Sequence, residues 1–124
     1  MANKPIVIDA SALAAVLFAE DEAPMVLPQI AGCALVAPVL ILTEIASIAV
    51  KKVRRLGMAQ SVVSAAVAGL ADWQLTLVEI APDTAFSAAM QTGLSAYDAS
   101  YFSLARQFET RLVTLDAALA RAFS

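Results

Sequence analysis

Short runs of branched apolar residues alternate along this chain with longer segments of helical periodicity, and this alternation limits the fold more than any other feature. The first run is Ile6–Ile8, which leads directly into Asp9 and then into a segment with Leu13, Val16 and Leu17 at helical spacing. Strands that alternate with helices favour a parallel sheet packed between helical layers. We therefore expect an α/β fold: a three-layer sandwich with a central, mostly parallel sheet flanked by helices.

The same pattern predicts where the individual elements lie. A run of basic residues followed by Gly57 ends the longest predicted helix, which is a common stop signal. The predicted strands are Ile6–Asp9, Ala34–Ala37, Leu75–Ile80 and Arg111–Leu115. The predicted helices are Ala12–Glu20, Met25–Ile30, Leu40–Leu56, Ala59–Leu70, Thr84–Thr92, Ala96–Phe108 and a last helix after Asp116. With no repeat or linker, the chain is expected to form one domain over residues 1–124.

The chain contains no histidine and a single cysteine, Cys33, and both facts restrict its chemistry. Without histidine, triads that use an imidazole base and zinc–histidine sites are excluded. One cysteine cannot form a disulfide framework, which is typical of proteins in the reducing cytoplasm. Any acid–base or metal chemistry must therefore rest on carboxylates, and we expect a cytoplasmic protein.

The apolar share of the chain is 60%, which is above the ordinary level for a globular protein. The longest apolar run, Ile30–Leu42, has thirteen residues and is interrupted by Pro38, whereas a membrane-spanning helix needs roughly 20. No spanning helix is therefore expected, and the sequence before Asp9 lacks the body of a signal peptide. The apolar excess instead predicts a surface buried against a partner, most simply in a homodimer.

Four carboxylates occupy positions from which they could meet. Ligands bind beyond the carboxyl ends of parallel strands, and Asp9 and Asp116 end the first and last predicted strands. Asp98 lies at a helix start, and Glu44 flanks the apolar face of the helix that follows the second strand. Each acid also has a structural interpretation. Asp9 and Asp116 could cap helices, Asp98 fits a capping box that begins at Ser95, and Glu44 could be an ordinary surface residue.

If the four acids converge, their charges repel one another and raise one another's pKa. A bound divalent cation relieves this repulsion, and an oxygen-rich site without histidine suits Mg²⁺ or Mn²⁺. Thr114 stands two residues before Asp116, where its hydroxyl could hold a carboxylate or a water molecule. We therefore expect that the first strand ends on a charge because Asp9 is a metal ligand.

Four segments of the chain resemble the PIN-domain ribonucleases, and most closely the VapC-like toxins of type II toxin–antitoxin pairs. In chain order they are IVIDASALAAVLFAED, APVLILTEIASIAV, GLSAYDASYFSLARQF and RLVTLDAALARAF, which together cover most of the sequence. The resemblance places the family's four catalytic and metal-binding acids on Asp9, Glu44, Asp98 and Asp116. It places the hydroxyls that help to hold the metal site on Ser11 and Thr114.

The resemblance implies a single PIN-like nuclease domain that acts as the toxin of a toxin–antitoxin system. It implies endonucleolytic hydrolysis of RNA with Mg²⁺ or Mn²⁺, leaving a 5′-phosphate and a 3′-hydroxyl. It also implies a VapB-like antitoxin whose C-terminal arm covers the groove and often places a basic side chain among the acids. The sequence departs from the family mainly in its alanine-rich helices and in its net charge of −3.

The distribution of charge bears on how such a chain could hold RNA. Setting aside the four site acids leaves seven acidic residues against eight basic ones. Lys51 and Arg55 follow Glu44 on nearly the same helix face, at ~10 and ~16 Å along the axis. They could bind RNA phosphates, or they could simply be bases that complement the dipole at a helix C-terminus.

Two other functions compete with a nuclease. The first is a non-catalytic PIN-fold module for protein interaction, in which the four acids only cap helices. The second is a phosphoryl-transfer domain, which needs an acid nucleophile with a second acid nearby or a distant lysine. Asp9 lacks an Asp two residues later and no lysine follows Lys52, so the second alternative is weaker.

Overall fold

The computed structural model of this chain describes residues 4–123 and shows a four-stranded sheet flanked by helices. The strands are β1 (Pro5–Ile8), β2 (Ala34–Pro38), β3 (Leu75–Val78) and β4 (Leu112–Val113). The helices are α1 (Ala10–Leu17), α2 (Ala23–Ile30), α3 (Ile41–Arg54), α4 (Gln60–Ala68), α5 (Pro82–Thr92), α6 (Ala96–Gln107) and α7 (Ala117–Phe123), with a 3₁₀ turn at Gly69–Asp72. The predicted α/β sandwich is confirmed.

The sheet has the strand order β3-β2-β1-β4, and its pairings are all parallel. Val7 of β1 pairs with Val36 of β2 on one side, and its other neighbour in the ladder is Leu112 of β4. Residues 6–8 are buried, as expected for a central strand that is covered by helices on both faces. The branched apolar run at the start of the chain therefore forms the centre of the sheet.

The parallel pairings bring the carboxyl ends of the strands to one edge of the sheet. We call this the carboxyl edge; it is formed by the last strand residues, which are Ile8, Pro38, Val78 and Val113. Helices α1, α3 and α7 begin within a few residues of that edge, after β1, β2 and β4 respectively. In open α/β sheets this is the edge where ligands bind.

Helix α6 packs directly on the sheet, against β1 and β2, and α5 packs against α6. The buried face of α6 contains Ala99, Tyr101, Leu104 and Ala105. Two of these four side chains are alanine, which lets the helix backbone approach the strands closely. The start of α6 is thereby held near the carboxyl edge, and this brings Asp98 within electrostatic range of Asp9.

Both ends of α1 differ from the prediction for identifiable reasons. The helix begins at Ala10, because Asp9 has an extended backbone and its side chain accepts the N–H of Ala12, which makes Asp9 the N-cap. The helix ends at Leu17, three residues earlier than predicted, and Ala19 just beyond it has a left-handed φ of 52°. The acidic residues Glu20, Asp21 and Glu22 therefore lie outside α1.

Two further predicted boundaries were wrong. Strand β4 is shorter than predicted, since the N–H of Leu115 donates to the hydroxyl of Ser11 instead of joining the ladder. Leu56, the last residue of the predicted helix Leu40–Leu56, lies beyond the end of α3 and is 70% exposed. The buried face of α3 is shorter and consists of Ile41, Ile45 and Ala49.

Within residues 4–123, no helix is long and apolar enough to cross a membrane. The predicted domain bounds of 1–124 include residues 1–3 and 124, which lie outside the described residues.

Candidate active site

The four predicted site acids come from four different elements around the carboxyl edge. Asp9 follows β1, and Asp116 follows β4 after two intervening residues, so the pairing of β1 with β4 brings both to the same edge. Glu44 lies in the first turn of α3, and Asp98 lies in the first turn of α6. Residues far apart along the chain thus meet because parallel strands and helix starts share one edge.

Asp9 is 5% exposed, and both of its carboxylate oxygens accept hydrogen bonds. Oδ1 accepts the N–H of Ala12 at 2.9 Å and the hydroxyl of Ser11 at 2.7 Å. Oδ2 accepts the hydroxyl of Thr114 at 2.5 Å. The structural interpretation of Asp9 as an N-cap is therefore correct, and the two predicted hydroxyls also lie beside it.

Ser11 and Thr114 extend this network to the end of β4. The Ser11 hydroxyl accepts the N–H of Leu115 at 2.9 Å, and the Thr114 hydroxyl accepts the N–H of Asp116 at 2.9 Å. Each hydroxyl therefore donates to Asp9 and accepts from the backbone that follows β4. We call Asp9, Ser11, Thr114 and Asp116 the hydroxyl corner of the site. Its hydrogen bonds fix the start of α1 against the end of β4.

Asp98 and Asp116 differ in how far their carboxylates are committed to the fold. Asp116 is exposed and accepts the N–H of Leu119 at 2.9 Å, which caps α7. The Asp98 carboxylate does not cap its helix. The N-cap of α6 is Ser95, whose hydroxyl accepts the backbone N–H of Asp98 at 3.1 Å. Within residues 4–123 the structure gives the Asp98 carboxylate no hydrogen-bond donor. The predicted capping box is thus only half formed, and the Asp98 carboxylate remains free for another role.

Glu44 is half-buried and accepts a hydrogen bond of 2.5 Å from the hydroxyl of Tyr101. It is therefore not an ordinary surface residue. The sequence analysis did not select Tyr101 as a site residue, because its position in α6 is also that of a core residue. Its spacing of three from Asp98 places both on one helix face, and this signal could have found it. We call Glu44, Asp98 and Tyr101 the tyrosine corner of the site.

The electrostatics of the site show that the acids act on one another. Burial raises the pKa of Asp9, Glu44 and Asp98, and in each case it is the largest cause. Neighbouring carboxylates raise the pKa further: Asp116 acts on Asp9 and Asp98, and Asp98 acts on Glu44. The hydrogen bonds to Asp9 and Glu44 lower the pKa of these groups but do not outweigh burial. The same burial, together with Glu44, raises the pKa of Tyr101 far above its usual range.

The oxygen ligands of the site suit a divalent cation, although they do not form a complete coordination shell. Within the part of the chain that the structure describes, no three acidic or cysteine side chains are arranged to hold one ion between them. Mg²⁺ retains several water molecules and commonly binds proteins through one or two carboxylates, so a partial set is sufficient for a hydrated ion. Carboxylates with raised pKa values, neighbouring hydroxyls and no nitrogen ligand are the chemistry that Mg²⁺ or Mn²⁺ prefers.

The two predicted RNA-binding bases lie apart from this cluster. Lys51 is exposed in the last turn of α3, and Arg55 is the exposed C-cap of that helix. Between them, Lys52 forms an ion pair with Glu20 at 2.6 Å and lies over the ring of Phe18. Lys51 and Arg55 therefore present charge to solvent near the helix C-terminus, which fits both interpretations given above.

Comparisons with known proteins agree with this architecture. The sequence profile of the PIN domain matches residues 6–123. PAE2754 from Pyrobaculum aerophilum has the same fold with 26% identity and a TM-score of 0.75, over 96% of this chain and 79% of that chain. VapC20 of Mycobacterium tuberculosis, described as a toxin that cleaves the sarcin–ricin loop, has 19% identity and a TM-score of 0.68, over 94% of each chain. At that identity the second likeness concerns the fold alone. No curated protein sequence matches this chain significantly.

Proposed function

Because this chain belongs to the PIN-domain family, we propose that it is a metal-dependent endoribonuclease that hydrolyses phosphodiester bonds in RNA. The observation that carries the proposal is the meeting of Asp9, Glu44, Asp98 and Asp116 at the carboxyl edge, where burial and, after it, neighbouring carboxylates raise the pKa values of Asp9, Glu44 and Asp98. A cluster of this kind favours a cation.

The four acids would hold Mg²⁺ or Mn²⁺, in part through water. The chemistry that such an ion supplies when bound is positive charge against the scissile phosphate and a more acidic water molecule. Asp9 is ready for this role, because the Ser11 and Thr114 hydroxyls already fix its carboxylate. Asp116 has one oxygen fixed by the N–H of Leu119, which leaves the other for the ion or its water.

Asp98 is the acid best placed to orient the attacking water. Its carboxylate carries no structural hydrogen bond among the described residues, so it can accept one from water without disturbing the fold. Burial and the charges of Asp116 and Asp9 raise its pKa, which moves it towards the range in which a carboxylate accepts a proton efficiently. Because water is the nucleophile, the ribose 2′-hydroxyl is not needed. The expected products carry a 5′-phosphate and a 3′-hydroxyl.

The biological role that we propose is that of the toxin in a toxin–antitoxin pair in the cytoplasm, with a VapB-like antitoxin as partner. Several large apolar side chains are well exposed on the surface, which supports a homodimer, an antitoxin interface or both. They include Met25, Leu56, Phe86 and Met90. Lys51 and Arg55 would contact RNA phosphates beyond the site, since both are exposed on α3 downstream of Glu44.

One observation favours the alternative of a non-catalytic interaction module. Asp9 and Asp116 cap α1 and α7, so both have structural roles that need no metal. This alternative leaves Asp98 unexplained, because its carboxylate makes no comparable contact within residues 4–123. Asp98 is therefore the residue that best distinguishes a nuclease from a non-catalytic interaction module.

The test is cleavage of end-labelled RNA by the purified chain with Mg²⁺, Mn²⁺ or a chelator. We expect internal cleavage with either metal, none with chelator, and a loss of about 10²–10⁴-fold in Asp98→Asn. Asp83→Asn is the matched control, because Asp83 is an exposed acid in the first turn of the adjacent helix α5. Inactivity with every metal would favour the interaction module. Equal activity in the two variants would remove Asp98 from the mechanism.

A further inference from the structure

Tyr101 is a buried tyrosine whose hydroxyl faces the acids rather than the apolar core. It is 1% exposed, and its hydroxyl proton goes to Oε1 of Glu44 at 2.5 Å. The backbone N–H of Ala10, the first residue of α1, approaches the same phenolic oxygen. A phenylalanine would fill the core equally well, so packing alone does not account for the hydroxyl.

The hydroxyl connects the three elements that carry three of the site acids. Tyr101 belongs to α6, three residues after Asp98. Its proton is donated to Glu44 of α3, and its oxygen is approached by the residue after Asp9 at the start of α1. One phenol therefore sets the position of Glu44 relative to the two helices that hold Asp9 and Asp98.

We propose that Tyr101 is a positioning residue that holds Glu44 in the orientation needed to bind a divalent cation. The inference rests on the proposed function, since it assigns the hydroxyl to the same metal site. Within residues 4–123 the Tyr101 bond is the one hydrogen bond made by the Glu44 side chain. It occupies Oε1 and leaves Oε2 for the ion or for a water molecule bound to it.

Removing the hydroxyl releases a half-buried side chain with three rotatable bonds. Glu44 then has to be ordered by the ion itself, and this ordering opposes binding. Outer-sphere hydrogen bonds that orient metal ligands typically contribute 10–100-fold to metal affinity. The expected effect of Tyr101→Phe is therefore a loss of metal affinity of about 10–100-fold, with the fold retained.

The experiment is calorimetric titration of the metal-free chain with Mn²⁺, in the wild type, Tyr101→Phe and Tyr97→Phe. Tyr97 is the matched control, because it lies one turn earlier in α6 with 66% of its surface exposed. We expect Tyr97→Phe to bind Mn²⁺ within about twofold of wild type, which is small beside the 10–100-fold loss at Tyr101.

A double-mutant cycle separates positioning from a general structural role. If Tyr101 acts through Glu44, adding Tyr101→Phe to Glu44→Gln produces no further loss of Mn²⁺ affinity. With RNA as substrate, Tyr101→Phe should lower kcat while KM stays within about twofold, because the phenol is buried away from the RNA. If Tyr101 had only a general structural role, Tyr101→Phe would lower the Mn²⁺ affinity equally in the wild type and in Glu44→Gln.

A second measurement does not depend on the Tyr101→Phe variant. The chain has two tyrosines, so Tyr97→Phe protein grown with 3-fluorotyrosine carries fluorine at Tyr101 alone. The inference predicts that Mg²⁺ shifts this fluorine resonance, and that Glu44→Gln abolishes the shift. A resonance that Mg²⁺ leaves unchanged would overturn the inference.

The outcomes distinguish the inference from the proposed function. Wild-type protein that binds Mn²⁺ and cleaves RNA, with Tyr101→Phe unchanged in both respects, would refute the positioning role and leave the nuclease intact. Wild-type protein that binds no Mn²⁺ and cleaves nothing would refute both. Weaker Mn²⁺ binding in Tyr101→Phe alone, absent in the Glu44→Gln background, supports the inference.

Discussion

The hydroxyl corner and the tyrosine corner of the site are built on different principles. In the hydroxyl corner, Asp9 accepts three hydrogen bonds and Asp116 caps a helix, so the acids also hold the fold together. In the tyrosine corner, the described contacts give Asp98 no donor and Glu44 a single donor, Tyr101. Substitutions in the first corner should therefore reduce stability and activity together, whereas those in the second should reduce activity without reducing stability.

The largest effect on stability is expected from Asp9→Ala. This change removes the N-cap of α1 and leaves the Ser11 and Thr114 hydroxyls without their acceptor. We expect the free energy of unfolding to fall by about 2 kcal/mol, measured by urea denaturation without metal.

Asp9→Asn is the control for this prediction, because its amide oxygen can still accept the Ala12 N–H. It should lose less stability than Asp9→Ala, because it keeps the cap and cannot ionise at a position where burial raises the pKa of the acid. Both variants should lose cleavage. An Asp9→Ala protein as stable as wild type would contradict the structural role of this corner.

A smaller effect is expected from Thr114→Val, which has nearly the same shape but no hydroxyl. Asp9 loses one of its donors and the Asp116 N–H loses its acceptor, so unfolding should become easier by about 1.5 kcal/mol. Thr76→Val is the matched control, since Thr76 is exposed on β3. Chemical denaturation of the two variants measures the difference. Equal stabilities would show that the hydroxyl does not support the corner.

The smallest effect on stability is expected from Asp98→Asn, which should raise the free energy of unfolding instead of lowering it. Because the folded-state pKa of Asp98 is raised, the folded protein binds this proton more tightly, and stability is lost as pH rises through that pKa. Asn does not ionise, so metal-free Asp98→Asn should be more stable than wild type at pH 7 by about 0.5 kcal/mol, after screening by solvent.

Denaturation at several pH values checks this prediction. The advantage of Asp98→Asn should disappear below the ordinary Asp pKa of 3.8, where the carboxyl is protonated in both the folded and the unfolded state. Added Mg²⁺ should reverse it at pH 7, since a cation that binds only the folded site stabilises the wild type. Asp83→Asn provides the control for a change of net charge. A wild type that is more stable than Asp98→Asn without metal would mean that Asp98 does have a structural partner.

Much of the fold and the candidate site could be predicted from local sequence. The branched run before Asp9 predicts a buried strand, and the alternation of strands with helices predicts a parallel sheet. Parallel strands place their carboxyl ends together, so the sequence alone assigns Asp9 and Asp116 to one edge. Glu44 and Asp98 could be considered for the same site from their positions on predicted helices, but these positions also fit a surface residue and a cap, and the family resemblance favoured the site.

Other features depend on contacts between residues far apart in the chain. The early end of β4 at Val113 follows from the Ser11 hydroxyl, which is more than a hundred residues away. The role of Tyr101 depends on Glu44, fifty-seven residues earlier. The Ser11 contact leaves no periodic signal in the sequence, and the spacing of Tyr101 from Asp98 indicates a shared helix face but not the contact with Glu44.

The sequence by itself therefore determined the strand–acid–helix order and which acids follow which strands, because these depend on local conformational preference and on hydrophobic periodicity. Only the tertiary structure decided which hydrogen bonds each acid receives, and hence that Asp9 is fixed by hydroxyls while Glu44 is fixed by Tyr101. The physical reason is that a side-chain hydrogen bond requires two atoms within about 3 Å, and the packing of α1, α3, α6 and β4 sets those distances.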